Sequence, residues 1–96
     1  MSSRQWTMIT PHGLVLVYLF RNPDSTLRKL AEVVGVTERH VARIVKDLVM
    51  AGAVTKHKKG LRNSYTLNLE TTVKHPVLTR TTLRELVHAI TPFAAS

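Results

Sequence analysis

The chain has no cysteine in its 96 residues, so it offers no disulfide framework, no thiolate metal ligand and no thiol redox switch. Acid is scarce too. Six Asp and Glu stand against fourteen Lys and Arg, a formal net charge of +8 with a pI near 10.7, and such an excess favours a polyanionic partner whatever the fold. The most apolar run, Leu14 to Phe20, is seven residues long, whereas a membrane-spanning helix needs about 20. No small-residue cleavage site follows that run, since Arg21-Asn22-Pro23-Asp24 comes next; no export signal is read, and a cytoplasmic protein without a membrane partner is expected. Also missing are a Gly-rich nucleophile elbow, a paired-carboxylate motif and a Walker loop, so no catalytic residue or cofactor is assigned and a non-enzymatic protein is expected. The histidines, His12, His40, His57, His75 and His88, form no dense ligand motif and no metal site is assigned; His40 is read as a polar groove contact and His12 as a capping or core residue.

What is present reads as one small domain over residues 1–96, with a core at about 6–69 and a terminal helix at about 79–91. A chain of this length buries roughly 60–70% of its unfolded surface and gains from a second copy. Thr10 is placed to cap a first helix, with Pro11 at its first position and the pattern running to Arg21 before Asn22-Pro23 break it. Being apolar nearly all round, this helix belongs at the centre of the domain, with Trp6 and Ile9 either closing the core from the amino-terminal side, the reading preferred for Trp6, or covering a partner subunit.

The most informative stretch runs from Ser25 to Leu69. Leu27, Leu30, Ala31 and Val34 recur at helical spacing, and Gly35 ends that helix with a residue free to turn left-handed. Val36 fills the turn and Thr37 caps the next helix. From Thr37 to Met50, the apolar Val41, Ile44, Val45, Leu48 and Val49 line one side, leaving Glu38, Arg39, His40, Ala42, Arg43, Lys46 and Asp47 outward. Two such helices around a short turn are a helix-turn-helix. After Gly52, Val54 opens a strand, Lys56 to Asn63 form a basic, acid-free tip, and Tyr65, Leu67 and Leu69 return on the core side, alternating with Thr66 and Asn68. The predicted fold class is mainly α with a small β-hairpin: a winged helix-turn-helix with three core helices, a wing and an additional C-terminal helix. Glu70 to Val77 reads as irregular, because Pro76 disfavours helix before it. Thr82 and Glu85 then make a capping-box pattern, and Leu83, Leu86, Val87 and Ile90 form an apolar stripe with two possible coverings, its own domain or a second copy; contact between two copies in a homodimer is the expected one.

The segment Leu27 to Leu48, LRKLAEVVGVTERHVARIVKDL, resembles the second and third helices of the compact winged-helix transcription regulators of bacteria and archaea, in the broad MarR/ArsR-like grouping. Ala51-Gly52-Ala53-Val54 and Gly60-Leu61-Arg62-Asn63-Ser64-Tyr65 are similar to their wing, and Trp6 to Thr10 with His12 to the start of a small subgroup. The resemblance spans Trp6 to about Leu69. It implies sequence-specific binding of double-stranded DNA by a dimeric regulator, with the helix from Thr37 to Met50 in the major groove. Glu38, Arg39, His40 and Arg43 become base-edge candidates. Thr37, Lys46 and the wing residues Lys56, Lys58, Lys59, Arg62 and Asn63 would meet phosphates. Arg39 and Arg43, four residues apart, are the strongest specificity candidates, because an Arg fork matches guanine O6 and N7; against this, either can pair with Glu38 or Asp47 on the helix surface. The cysteine-bearing metal site of many ArsR proteins and the long terminal helices of full-length MarR proteins are both missing, so sensing of metals or phenolic ligands is not carried over and no effector is assigned. The alternatives are a winged helix serving as a protein–protein module, against which the basic wing speaks, and RNA or unspecific nucleic-acid binding.

Overall fold

Each of the first three helices starts on a threonine. In a computed structural model of the chain, described for residues 9–72, 77 and 81–90 (without the Ile90 side chain), α1 spans Pro11–Arg21, α2 Leu27–Val34 and α3 Glu38–Met50. Thr10, Thr26 and Thr37 precede them with extended backbone, and each Oγ1 accepts the amide N–H three residues on, from Gly13, Lys29 and His40 at 3.3, 3.0 and 3.0 Å. Such a cap satisfies an amide that the helix leaves unpaired and is worth about 1 kcal/mol. Gly35 ends α2 at φ +86°, where its own and the Val36 amide both donate to the Ala31 carbonyl. That left-handed step turns the chain so that α3 packs across α2.

The core draws on every element. Val15 and Leu19 of α1, Leu30 of α2, and Val41 and Ile44 of α3 are essentially out of water, with Val54, Tyr65 and Leu67 closing one side. α1 touches both other helices of this group, as its apolar run predicts. Its burial is uneven, however: Leu14, Val17 and Tyr18 are only half-buried. Val49 departs from expectation, since it lies at the edge of the α3 stripe and is 36% exposed.

The hairpin is longer than its sequence suggested. β1, Val54–Lys59, pairs antiparallel with β2, Arg62–Leu67, through six rungs from Val54 opposite Leu67 to Lys59 opposite Arg62. The expected basic tip of Lys56 to Asn63 is therefore mostly ladder, and the turn is Gly60-Leu61 alone, with Gly60 at φ +64°. A two-residue turn whose first central residue has positive φ matches the right-handed strand twist, which lets pairing continue to the end. The Tyr65 amide donates to the Pro23 carbonyl, tying β2 to the α1–α2 connection. Asn68 locks the base of the hairpin. Its amide nitrogen donates to the Gly52 carbonyl at 2.6 Å and its backbone N–H to the Ala53 carbonyl at 2.8 Å.

Leu83–Ile90 form α4, started by the expected capping box. The Thr82 amide donates to Glu85 Oε1 at 2.9 Å and the Glu85 amide to Thr82 Oγ1 at 3.3 Å. The Leu83 and Arg84 amides donate to the Thr71 and Leu69 carbonyls, the Arg84 guanidinium pairs with Glu70, and the His88 ring meets the Phe20 edge 5.9 Å away. This docks α4 on α1. Leu83 and Val87, expected in a contact between copies, are 7% and 1% exposed within the single chain. Intramolecular packing takes these two because the Thr71 and Leu69 carbonyls hold the start of α4 and Phe20 meets His88, which sets α4 over α1; Leu86 stays half-buried. Trp6, His75 and the Thr91-Pro92 helix stop lie outside the described residues.

Burial pushes the Tyr65 hydroxyl above the usual phenol pKa, against a smaller opposing effect of its hydrogen bond with the Asn63 side chain. A raised folded-state value stabilises the fold fully below the ordinary pKa of about 10, and that stabilisation is lost as pH rises through the folded value. Tyr65→Phe should accordingly flatten the alkaline limb of a thermal-melt series against pH. An unchanged limb would mean that Tyr65 ionises equally in both states.

A candidate nucleic-acid interface

The face of α3 turned from the core is a ridge. With 3.6 residues per turn, Arg39, Arg43, Lys46 and Met50 fall in one row opposite Val41, Ile44, Val45 and Leu48, and all four are exposed. Thr37, Arg39, His40 and Arg43 line one open depression over its first turns. Thr37, however, uses its hydroxyl as the cap acceptor for the His40 amide. Glu38 lies on the wing-facing flank of the ridge and Asp47 on the opposite one.

On that opposite flank, His12 Nε2 meets Asp47 Oδ2 at 2.9 Å. This corrects the reading of His12 as cap or core: Thr10 is the cap, and the His12 side chain stays 45% exposed. Its consequence falls on α3, because Asp47 was a possible partner for the ridge arginines. Among the described residues the ion pairs are Lys29–Glu32 and Arg84–Glu70, with the His12–Asp47 hydrogen bond beside them. Neither Arg39 nor Arg43 takes part in one, so neither must break an ion pair with an acid to meet a new acceptor.

The pleat divides the wing cations between two faces. Residues directly opposite in an antiparallel pair share a face, which sets Lys56 with Tyr65 and Lys58 with Asn63 on the core-continuing face, and His57 with Ser64 and Lys59 with Arg62 on the other. Lys46, Lys56 and Asn63 accordingly come together along a groove between α3 and the wing, over a floor of Ala42, Val45, Val49 and Met50. The exposure of Val49 follows from this groove, because the wing stands clear of the helix there. Lys59 and Arg62 form a like-charge cross-strand pair, which costs the ladder some tenths of a kcal/mol unless an anion lies between them.

Two participants were not visible in sequence. Ser25 and Thr26, at the start of α2, share a cleft with Arg62 and Asn63, and so does Asp24. The tip that looked acid-free therefore has one carboxylate beside it, brought there by the Tyr65–Pro23 hydrogen bond rather than by proximity in the chain. Among the described residues no group of three or more His, Cys, Asp or Glu gathers at metal-binding range, and no helix is long and apolar enough to cross a membrane.

Residues 12–55 match a protein family described as winged helix-turn-helix DNA-binding. No curated protein matches the chain in sequence. Among solved structures, CymR (YrzC), the global cysteine regulator of B. subtilis, superposes with a TM-score of 0.59 at 16% identity, covering 88% of this chain and 98% of that one. The matched stretch runs from the start of α1 into β1 and contains the helix-turn-helix, the hairpin follows it in this chain, and the fold of this chain is a winged helix-turn-helix.

Proposed function

We propose that the chain is a sequence-specific double-stranded DNA-binding regulator of transcription, of the compact MarR/ArsR-like kind, that lays α3 in the major groove and the wing on the phosphate backbone. The observation that carries this reading is the ridge of Arg39, Arg43 and Lys46, exposed, in no ion pair among the described residues and set beside a cationic ladder. Arg39 and Arg43, one turn apart, reach base edges from a single groove, with His40 and Glu38 at their flanks. Lys46, Lys56 and Asn63 on the α3 side, and Lys58, Lys59 and Arg62 toward the hairpin end, meet phosphates on either hand. The similarity to a DNA-binding family and to a regulator's fold supports the same reading.

The test is competition. A duplex recovered from a random library by the wild-type chain should resist a large excess of unrelated duplex at 0.15 M salt, where non-specific binding is weak. Equal displacement by any duplex would reduce the activity to unspecific binding, and preference for RNA would reassign it.

We place two copies on an inverted repeat, recognition helices one turn of DNA apart, roughly 34 Å. With Leu83 and Val87 used inside the chain, Leu86 is the described stripe residue left for such a contact, the Ile90 side chain lying outside the described structure. Leu86→Glu would bury an unpaired charge there and should shift light-scattering mass toward the monomer. A wild-type chain already monomeric at tens of micromolar would sink this arrangement.

A further inference from the structure

Leu61 lies outside the core, on the rim of the open cleft that it shares with Asp24 and Arg62. It is fully exposed, at 102% of its reference area, in the second position of a two-residue turn where polar residues or glycine are usual. The six-rung ladder beneath it is paired to its last residue, so the side chain stands on a stiff support. Cations flank it on both sheet faces: Lys59 opposite Arg62 on one, Lys58 on the other. The matching surface has two anionic rails and a less polar trough between them. The minor groove of duplex DNA has that form, with phosphates along its edges and deoxyribose walls within, and apolar side chains enter it. An anionic lipid surface also joins charge to apolar depth, but a single leucine buries too little to hold a protein there.

We propose that Leu61 reads the minor groove by exclusion. At A·T pairs the groove floor carries only acceptors, whereas a G·C pair adds the guanine 2-amino donor. A leucine cannot accept that hydrogen bond and would strip it of water, which is unfavourable without a replacement partner. The wing tip thereby prefers A·T pairs in the minor groove flanking the α3 footprint, at positions where no polar side chain need contact a base. This inference rests on the DNA-binding reading above, and its test separates the two.

The experiment compares the full-length wild-type chain and Leu61→Ser on the selected duplex with its flanking pairs set to A·T, to G·C, or to inosine·C, which keeps the major-groove face of G·C and lacks the 2-amino group. Wild type should bind the A·T and inosine·C flanks alike and the G·C flank about tenfold more weakly, the scale on which one mismatched contact acts. Leu61→Ser should bind all three alike, with an unchanged dependence on salt, because no phosphate contact is lost. Its circular dichroism and melting temperature should be those of wild type, since the side chain touches no core. Discrimination that persists in Leu61→Ser, or inosine·C behaving as G·C, overturns the proposal and leaves the DNA-binding reading standing. Failure of the wild-type chain to bind any duplex overturns both. Wild-type cosedimentation with phosphatidylserine vesicles that Leu61→Ser abolishes would assign the tip to lipid instead and overturn it.

Discussion

Replacing Lys58, Lys59 and Arg62 together with alanine should lower affinity for every duplex by about a hundredfold at 0.15 M salt and make the log–log salt dependence shallower by about 2.7. Each phosphate contact releases counterions worth about 0.9 of slope, and at that salt concentration each is worth roughly 0.7 log units of binding constant. Because the contacts are to backbone, the loss should be uniform across sequences. Fold stability should hold or rise slightly, since the like-charge pair between Lys59 and Arg62 is removed from the ladder. Binding isotherms at four or five salt concentrations check the slope, and a thermal melt checks the fold. An unchanged slope would place the hairpin end away from DNA. Because Asp24 shares the cleft with Arg62, the single Arg62→Ala change should be the mildest of the three.

The second large effect concerns Arg43. Arg43→Ala should cost about 1–3 kcal/mol on the preferred duplex, a factor of roughly 5 to 150, and far less on random sequence, because a guanidinium fork on guanine discriminates where a phosphate contact does not. Among the described residues the arginine has no carboxylate partner, since Asp47 bonds His12, so the measured loss is not offset by an ion pair already made in the free protein. Arg39→Ala should act in the same sense from one turn earlier on the ridge. Equal losses on preferred and random DNA would move both residues to the backbone and take away the argument for base readout. Arg43→Lys is a sharper version, as it keeps the charge and loses the planar fork.

Local chemistry determined a large part of this protein. The threonine caps of α1, α2 and α3, the left-handed Gly35 and the Thr82–Glu85 box act within four residues of themselves, so they are legible in order along the chain. Helical spacing alone separated Val41, Ile44 and Val45 from Arg39, Arg43 and Lys46, and with them the exposed cationic ridge. Tertiary structure decided everything that depends on which distant surface arrives. An apolar stripe states that a face must be covered but not by what, and Leu83 and Val87 proved to be covered by the chain itself. His12 and Asp47 are 35 positions apart, and no local pattern foretells that the start of α1 would meet the flank of α3. The length of the ladder depended on Gly60-Leu61 closing it in two residues, and that register assigned Lys56 and Lys58 to one face and Lys59 and Arg62 to the other. Asp24 reached the wing because the Pro23 carbonyl takes the Tyr65 amide, a hydrogen bond that exists only once β2 has been laid beside the α1–α2 connection.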